Sequence, residues 1–248
     1  MSKVDNKKFS LQDIKNKYKD FKRGKGCELS YLLGHYKLEM ALTILFLKLN
    51  ISANKITLIS MGFGVLGCIL IMIGYPYTVI GGVSLVIWAL LDYVDGNVAR
   101  LSNSVSNIGR YLDLINSHLV GPLTYVSLGF VTKDPRLFPF LHSIINVPGS
   151  SLGLIIAVIY LSKRVIKSYA ILLGLYKHHD TPTSIKSKIY FYTGSLFEFP
   201  RLYTIIVLVI IFVDALYEWL LLLLLAQFTS LMVEALNIIK SSFHTTSR

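Results

Sequence analysis

Three aspartates stand where two apolar stretches of the chain meet: Asp92 and Asp95 at the end of one, Asp113 near the start of the next. An ionisable side chain inside an apolar span is costly to desolvate, so its presence there asks for a function. Around them the chain reads Asp92-Tyr-Val-Asp95-Gly96-Asn-Val-Ala99-Arg100, then eight residues, then Gly109, Asp113 and Ser117 in steps of four. At about 100° per residue, Asp92, Asp95 or Gly96, and Ala99 share one stripe of a helix. Gly109, Asp113 and Ser117 share a stripe of the next. The carboxylates are thus expected to converge across one helix–helix interface. Gly96, Ala99 and Gly109 take bulk away from the same faces, so backbones or a flat ligand can approach closely. Oxygen-only donors suit a hard cation such as Mg2+ or Mn2+, which keeps positions open for phosphate oxygens. With Arg100 at the aqueous end, the constellation suits a diphosphate.

Long apolar elements must hold these side chains. The chain of 248 residues is 53% hydrophobic and 16% charged, the composition of a single membrane domain with little soluble mass. The expected fold is all-α and integral to a membrane. Six transmembrane helices are expected at residues 55–74, 78–99, 109–131, 139–162, 202–217 and 218–239, after interfacial amphipathic helices at the N-terminus. Residues 1–50 form a basic juxtamembrane segment, 51–240 the six-span domain and 241–248 a cytoplasmic tail. Leu11, Ile14, Tyr18 and Phe21 recur at helical spacing among nine Lys or Arg, which suits anionic lipid. The apolar core from Leu38 to Leu47 is too short to span and reads as a second interfacial helix ending near Asn50.

Tyr75-Pro76-Tyr77 makes the first turn, and Lys133-Asp134-Pro135-Arg136 ends the third span. Pro148-Gly149-Ser150-Ser151 and Gly153 permit a kink and close packing in the fourth. Residues 163–201 read as one long basic loop, and Asp214 to Trp219 as the last turn. His178 and His179 are adjacent and point apart on any regular element, so they read as solvated loop. Cys27 and Cys68 read as packing residues. No cleavable signal peptide is expected, because the first apolar run follows a lysine-rich start. The basic net charge of +11 comes without a soluble module to present it, so no nucleic-acid partner is expected. With both termini in the cytoplasm, all Lys and Arg except Lys133 and Arg136 fall on the cytoplasmic side. The aspartates then open to the cytoplasm, from a plasma or inner membrane.

The stretch from Asp92 to Ser117 resembles the signature of the CDP-alcohol phosphotransferase family, D-x-x-D-G-x-x-A-R-x(8)-G-x-x-x-D-x-x-x-D. Every fixed position matches except the last, and Ser52-Ala-Asn54-Lys-Ile-Thr57 is similar to the run that opens the family's first span. The resemblance covers roughly residues 25–240. It implies displacement at the β-phosphorus of a CDP-alcohol, with an acceptor hydroxyl attacking and CMP leaving, in phospholipid or polar-head-group synthesis. By the same resemblance Asp92, Asp95 and Asp113 hold Mg2+ or Mn2+. Gly96, Ala99 and Arg100 bound the nucleotide pocket, Gly109 makes the helix contact, and the protein forms a homodimer among membrane lipids. The implied partners are a CDP-linked donor, CDP-diacylglycerol or a CDP-polyol, and an alcohol acceptor.

The family's fourth aspartate serves as general base, and here that position is Ser117. A serine hydroxyl does not take a proton at neutral pH and is a weaker ligand than a carboxylate. Taking Asp113 as zero, Ser117 lies about 40° away, Asn116 about 60° the other way and His118 about 140° off. Asn116 offers a neutral ligand oxygen. His118 is the right chemical type for a base, or the acceptor brings a basic group of its own. Three readings follow: an active transferase, a family member that binds ligand or a membrane partner without turnover, and a small proton-coupled transporter. Only the first two account for Gly96, Ala99, Arg100 and Gly109 at their spacing.

Overall fold

The computed structural model describes residues 35–133, 147–172, 206–207, 209–211 and 215–246. Among them the long elements are all helices: α1 (His35–Lys48), α2 (Ala53–Ile73), α3 (Tyr77–Leu101), α4 (Asn107–Val131), α5 (Gly149–Leu172) and α6 (Leu216–Thr246). Residues 206–207 and 209–211 are helical as well. Helices α2 to α6 are each long and apolar enough to cross a membrane, five among the described residues. The expectations for residues 1–25, for Lys177 to Asp180 and for most of the span at 202–217 lie outside the described residues.

Asparagines stop two of these helices. α1 ends where Asn50 turns to φ 52°, its N–H donating to the Leu47 carbonyl and that of Ile51 to the Phe46 carbonyl. α3 ends the same way. Asn103 has φ 52°, its N–H donates to the Arg100 carbonyl at 3.4 Å, and the Ser104 N–H reaches the Ala99 carbonyl at 2.9 Å. This paired arrangement satisfies the last carbonyls of a helix, and asparagine tolerates the left-handed conformation it requires. Helix α3 is therefore cut off one residue after Arg100. α4 starts behind Ser106, whose Oγ accepts the Gly109 N–H at 3.0 Å. The cap places the start at Asn107, two positions ahead of the expected Gly109.

The chain divides into two compact units, residues 1–62 with 87–116 and residues 63–86 with 117–248. In the first, Leu101 at the end of α3 packs against Met40, Ile44 and Leu47. The apolar stretch from Leu38 to Leu47 thus forms a helix that covers the end of the motif helix.

In the second unit, small residues let backbones touch. A Cβ on Gly81 would sit 2.6 Å from the Gly67 carbonyl oxygen, and one on Gly129 would sit 2.6 Å from that of Gly149. Close packing at Gly149 and Gly153 is as expected, but this stretch opens α5 and does not kink the middle of a span. Of the span expected at 139–162, residues 139–146 lie outside the described residues, and the part from Gly149 onward falls in a helix that extends beyond it. α5 runs from Gly149 to Leu172, so Lys163, Arg164 and Lys167 lie on a helix and not in a loop. Partners on neighbouring turns and on α6 explain the difference. Lys163 Nζ is buried and donates to Ser230 Oγ at 3.0 Å and to Gln227 Oε1 at 3.5 Å. Arg164 donates to the Tyr160 hydroxyl at 3.0 Å, and Lys167 lies 4.0 Å from Glu234. Glu234, with 12% of its side chain exposed, faces α5 through this contact. α6 begins at Leu216, within the turn expected at 214–219, with Glu218 in its first turn where an acidic side chain complements the helix N-terminus. It continues through Thr246, past the start of the segment set apart as a tail.

Candidate active site

The site residues up to Asn116 all belong to the first unit, where α2, α3 and α4 contribute one turn or two each. Asp95 is 5% exposed and accepts a hydrogen bond at Oδ2 from Thr57 Oγ1 on α2. A carboxylate taken out of water needs donors, and a hydrogen bond to an ionised group contributes about 1.5–3 kcal/mol. Thr57 closes the run from Ser52 that the sequence set beside the aspartates, and this bond is the physical reason for its place there. Asp113, on α4, and Arg100 lie near enough to Asp95 to act on it electrostatically.

Asp92, one turn before Asp95, is half-buried. Its Oδ1 accepts from Asn116 Nδ2 at 2.8 Å. Asn116 Oδ1 is turned to the Trp88 indole, accepting from Nε1 at 3.0 Å. The geometry therefore brings Asn116 to Asp92 through its amide nitrogen, where the sequence had offered its oxygen. Trp88 and Ser60 are the participants that spacing alone missed. The available signal was weak: Trp88 stands one turn before Asp92 on the same stripe, and Ser60 is a lone hydroxyl in an apolar run.

Gly96 makes room for its own helix. A Cβ there would sit 2.9 Å from Arg100 Nη2, and that nitrogen donates to Asn97 Oδ1 at 3.2 Å. The missing side chain lets the guanidinium fold back over the helix beside the carboxylates. A Cβ on Gly109 would sit 3.0 Å from Asn54 Oδ1, so Gly109 is indeed a helix contact, and its counterpart is the asparagine of the upstream run. Ala99 is half-buried, and its carbonyl is taken by the α3 cap. Asp113 is exposed. Ser117 and His118 follow on α4, in the second unit, with Ser117 Oγ 3.4 Å from His118 Nδ1.

Among the described residues no three His, Cys, Asp or Glu side chains are gathered tightly enough to form a ready-made metal cluster. What fits a hard divalent cation is the chemistry of the donors. Two carboxylates on successive turns of α3 and a third on α4 offer oxygen alone, beside a single motif arginine.

Compared with protein-family models, residues 50–231 match CDP-alcohol phosphatidyltransferase. The chain belongs to this family. Its members are transferases that pass a phosphate-linked group from a CDP-alcohol to an alcohol, and the match includes every site residue described above. The curated proteins include no match to the chain. As a CDP-alcohol phosphatidyltransferase, this protein keeps the aspartates of the resemblance at Asp92, Asp95 and Asp113, with serine at position 117.

Proposed function

We propose that this protein transfers a substituted phosphate from CDP-diacylglycerol or a CDP-polyol to an acceptor hydroxyl, releasing CMP, in phospholipid or polar-head-group synthesis. The observation that carries this reading is the pair of hydrogen bonds that orient the two α3 carboxylates, Thr57 on Asp95 and Asn116 on Asp92. Side chains held this way are arranged for a ligand, since packing alone would favour apolar residues at the same positions.

The acceptor oxygen attacks the β-phosphorus, the bond to the CMP oxygen breaks, and the acceptor's proton passes to a base. Such a reaction depends on alignment and on neutralising the diphosphate. Asp92, Asp95 and Asp113 would hold Mg2+ or Mn2+, which supplies that neutralisation when bound. Arg100, folded over Gly96, offers a further positive charge to a diphosphate oxygen. We assign the proton to His118 or to an anionic group on the acceptor, because Ser117 has no capacity to take it. The assignment is checked with His118→Gln, which is expected to lower kcat by about 100-fold if the imidazole is the base. Full activity in this variant would give the role to the acceptor.

The protein is further proposed to lie in a plasma or inner membrane as a homodimer, with both termini and the aspartates on the cytoplasmic side. Lys163, Arg164 and Lys167 fall within α5, so the orientation rests chiefly on the lysine-rich N-terminal segment. Purified protein in detergent, given Mg2+ or Mn2+, CDP-alcohol donors and polyol acceptors, is expected to release CMP. Ser117 favours a second reading, a family member that binds ligand without turnover. Donor binding with no CMP from any pair would establish it.

A further inference from the structure

Behind Asp92 lies a closed set of buried hydrogen bonds. Trp88 is 5% exposed, and Asn116 and Ser60 are both at 0%. An indole N–H donates and never accepts, so the Asn116 atom 3.0 Å from Trp88 Nε1 has to be the amide oxygen. The Asn116 nitrogen consequently faces Asp92 Oδ1 at 2.8 Å and Ser60 Oγ at 3.3 Å. Ser60 spends its own proton on the Trp88 carbonyl at 3.1 Å, which leaves its lone pairs for the amide. Each donor in the set meets an acceptor: one indole proton, two amide protons and one hydroxyl proton. The loop of bonds runs from the Trp88 backbone through Ser60 and Asn116 back to the Trp88 ring, with Asp92 as its outlet.

We propose that Trp88 and Asn116 are a positioning pair for Asp92. Trp88 locks the amide, and the locked amide holds the carboxylate in one orientation toward a divalent cation. This inference rests on the reading of Asp92 as a cation ligand, and it gives Asn116 a supporting role in place of direct ligation. Partners of this kind fix the direction of a ligand, and their loss commonly weakens metal affinity by about 10–100-fold. Ser60 ties the pair to α2, so the same set of bonds registers three helices around one carboxylate.

The test is binding of Mn2+ alone, followed by its paramagnetic resonance signal, to purified full-length protein without substrates. Trp88→Phe removes the N–H and keeps an aromatic ring. Asn116→Leu removes both amide groups at similar volume and stands in should the tryptophan variant fail to fold. Both are expected to bind Mn2+ about tenfold more weakly than wild type, with a raised metal requirement and a kcat that recovers at saturating Mn2+. Unchanged affinity in both variants, with only thermal stability lowered, overturns the inference and leaves Trp88 a packing residue. Tighter binding in Trp88→Phe also overturns it, because a released Asn116 oxygen would then be acting as a ligand. Absence of Mn2+ binding by the wild type would sink the inference together with the cation reading beneath it.

Discussion

Asp95→Ala is expected to abolish CMP release, by at least about a thousandfold, while the protein still folds. Asp95 is the most enclosed of the three motif carboxylates, and its position is fixed from α2 by Thr57. Removing it takes one of two adjacent α3 carboxylates from any cation and leaves the Thr57 hydroxyl facing a cavity. The loss of charge falls on the reaction and the loss of packing is small, since alanine suits a helix interior. Single-turnover CMP release, read beside the thermal unfolding of both proteins, separates these effects. Turnover surviving within tenfold of wild type would refute the assignment of Asp95 to the reacting centre. A companion, Thr57→Val, keeps the carboxylate and deletes only its donor, so a much smaller loss, about tenfold, is expected.

Ser117→Asp is the change with the largest expected gain. It restores the carboxylate found at this position in the family pattern, one turn along α4 from Asp113. A general base contributes about 10²–10⁴ in rate, and a hundredfold rise in kcat is expected from this substitution. The cost of a second carboxylate at i+4 is about 0.2–0.5 kcal/mol, too little to unfold the helix. Acceptor dependence supplies the check. The variant should gain most with plain alcohols and least with acceptors that carry their own phosphate or carboxylate. No gain with any acceptor would mean that proton removal does not limit this enzyme, and it would turn attention to His118.

Much of this site was legible in the sequence because its signal is periodic. Carboxylates and glycines at helical spacing define stripes, and the structure assembles residues from α2, α3 and α4 around Asp92 and Asp95 in a single unit. Thr57 and Asn54 were legible only as members of a run. That one donates to Asp95 and the other abuts Gly109 depends on how the helices cross, which spacing does not encode. Asn116 shows the limit most clearly. Its angle from Asp113 said that it faced the site, but which end of the amide faced Asp92 is decided by Trp88, 28 positions earlier. The end of α5 was misjudged for a different reason. Three cations in five residues ordinarily signal solvent, whereas here Lys163 and Lys167 have partners on α6. The stop near Asn50 was legible as the end of an apolar run, whereas the one at Asn103 was hidden, since asparagine marks both turns and helix stops.

The buried Lys163 ties the order of synthesis to the order of assembly. Its two partners on α6, Gln227 and Ser230, are made 64 and 67 residues later. A lysine near the centre of a span costs about 2.5–3.5 kcal/mol on entry from the translocon, and α5 carries that cost before those two partners exist. In a bilayer, α5 is therefore expected to wait beside the translocon and integrate together with α6. A nascent chain halted at residue 200 should leave α5 accessible to a water-soluble thiol reagent at an introduced cysteine, and Lys163→Leu should protect it. If the halted wild-type segment is already protected, the helix integrates unaided. On this account, the charge that obscured α5 in the sequence also sets when α5 enters the membrane.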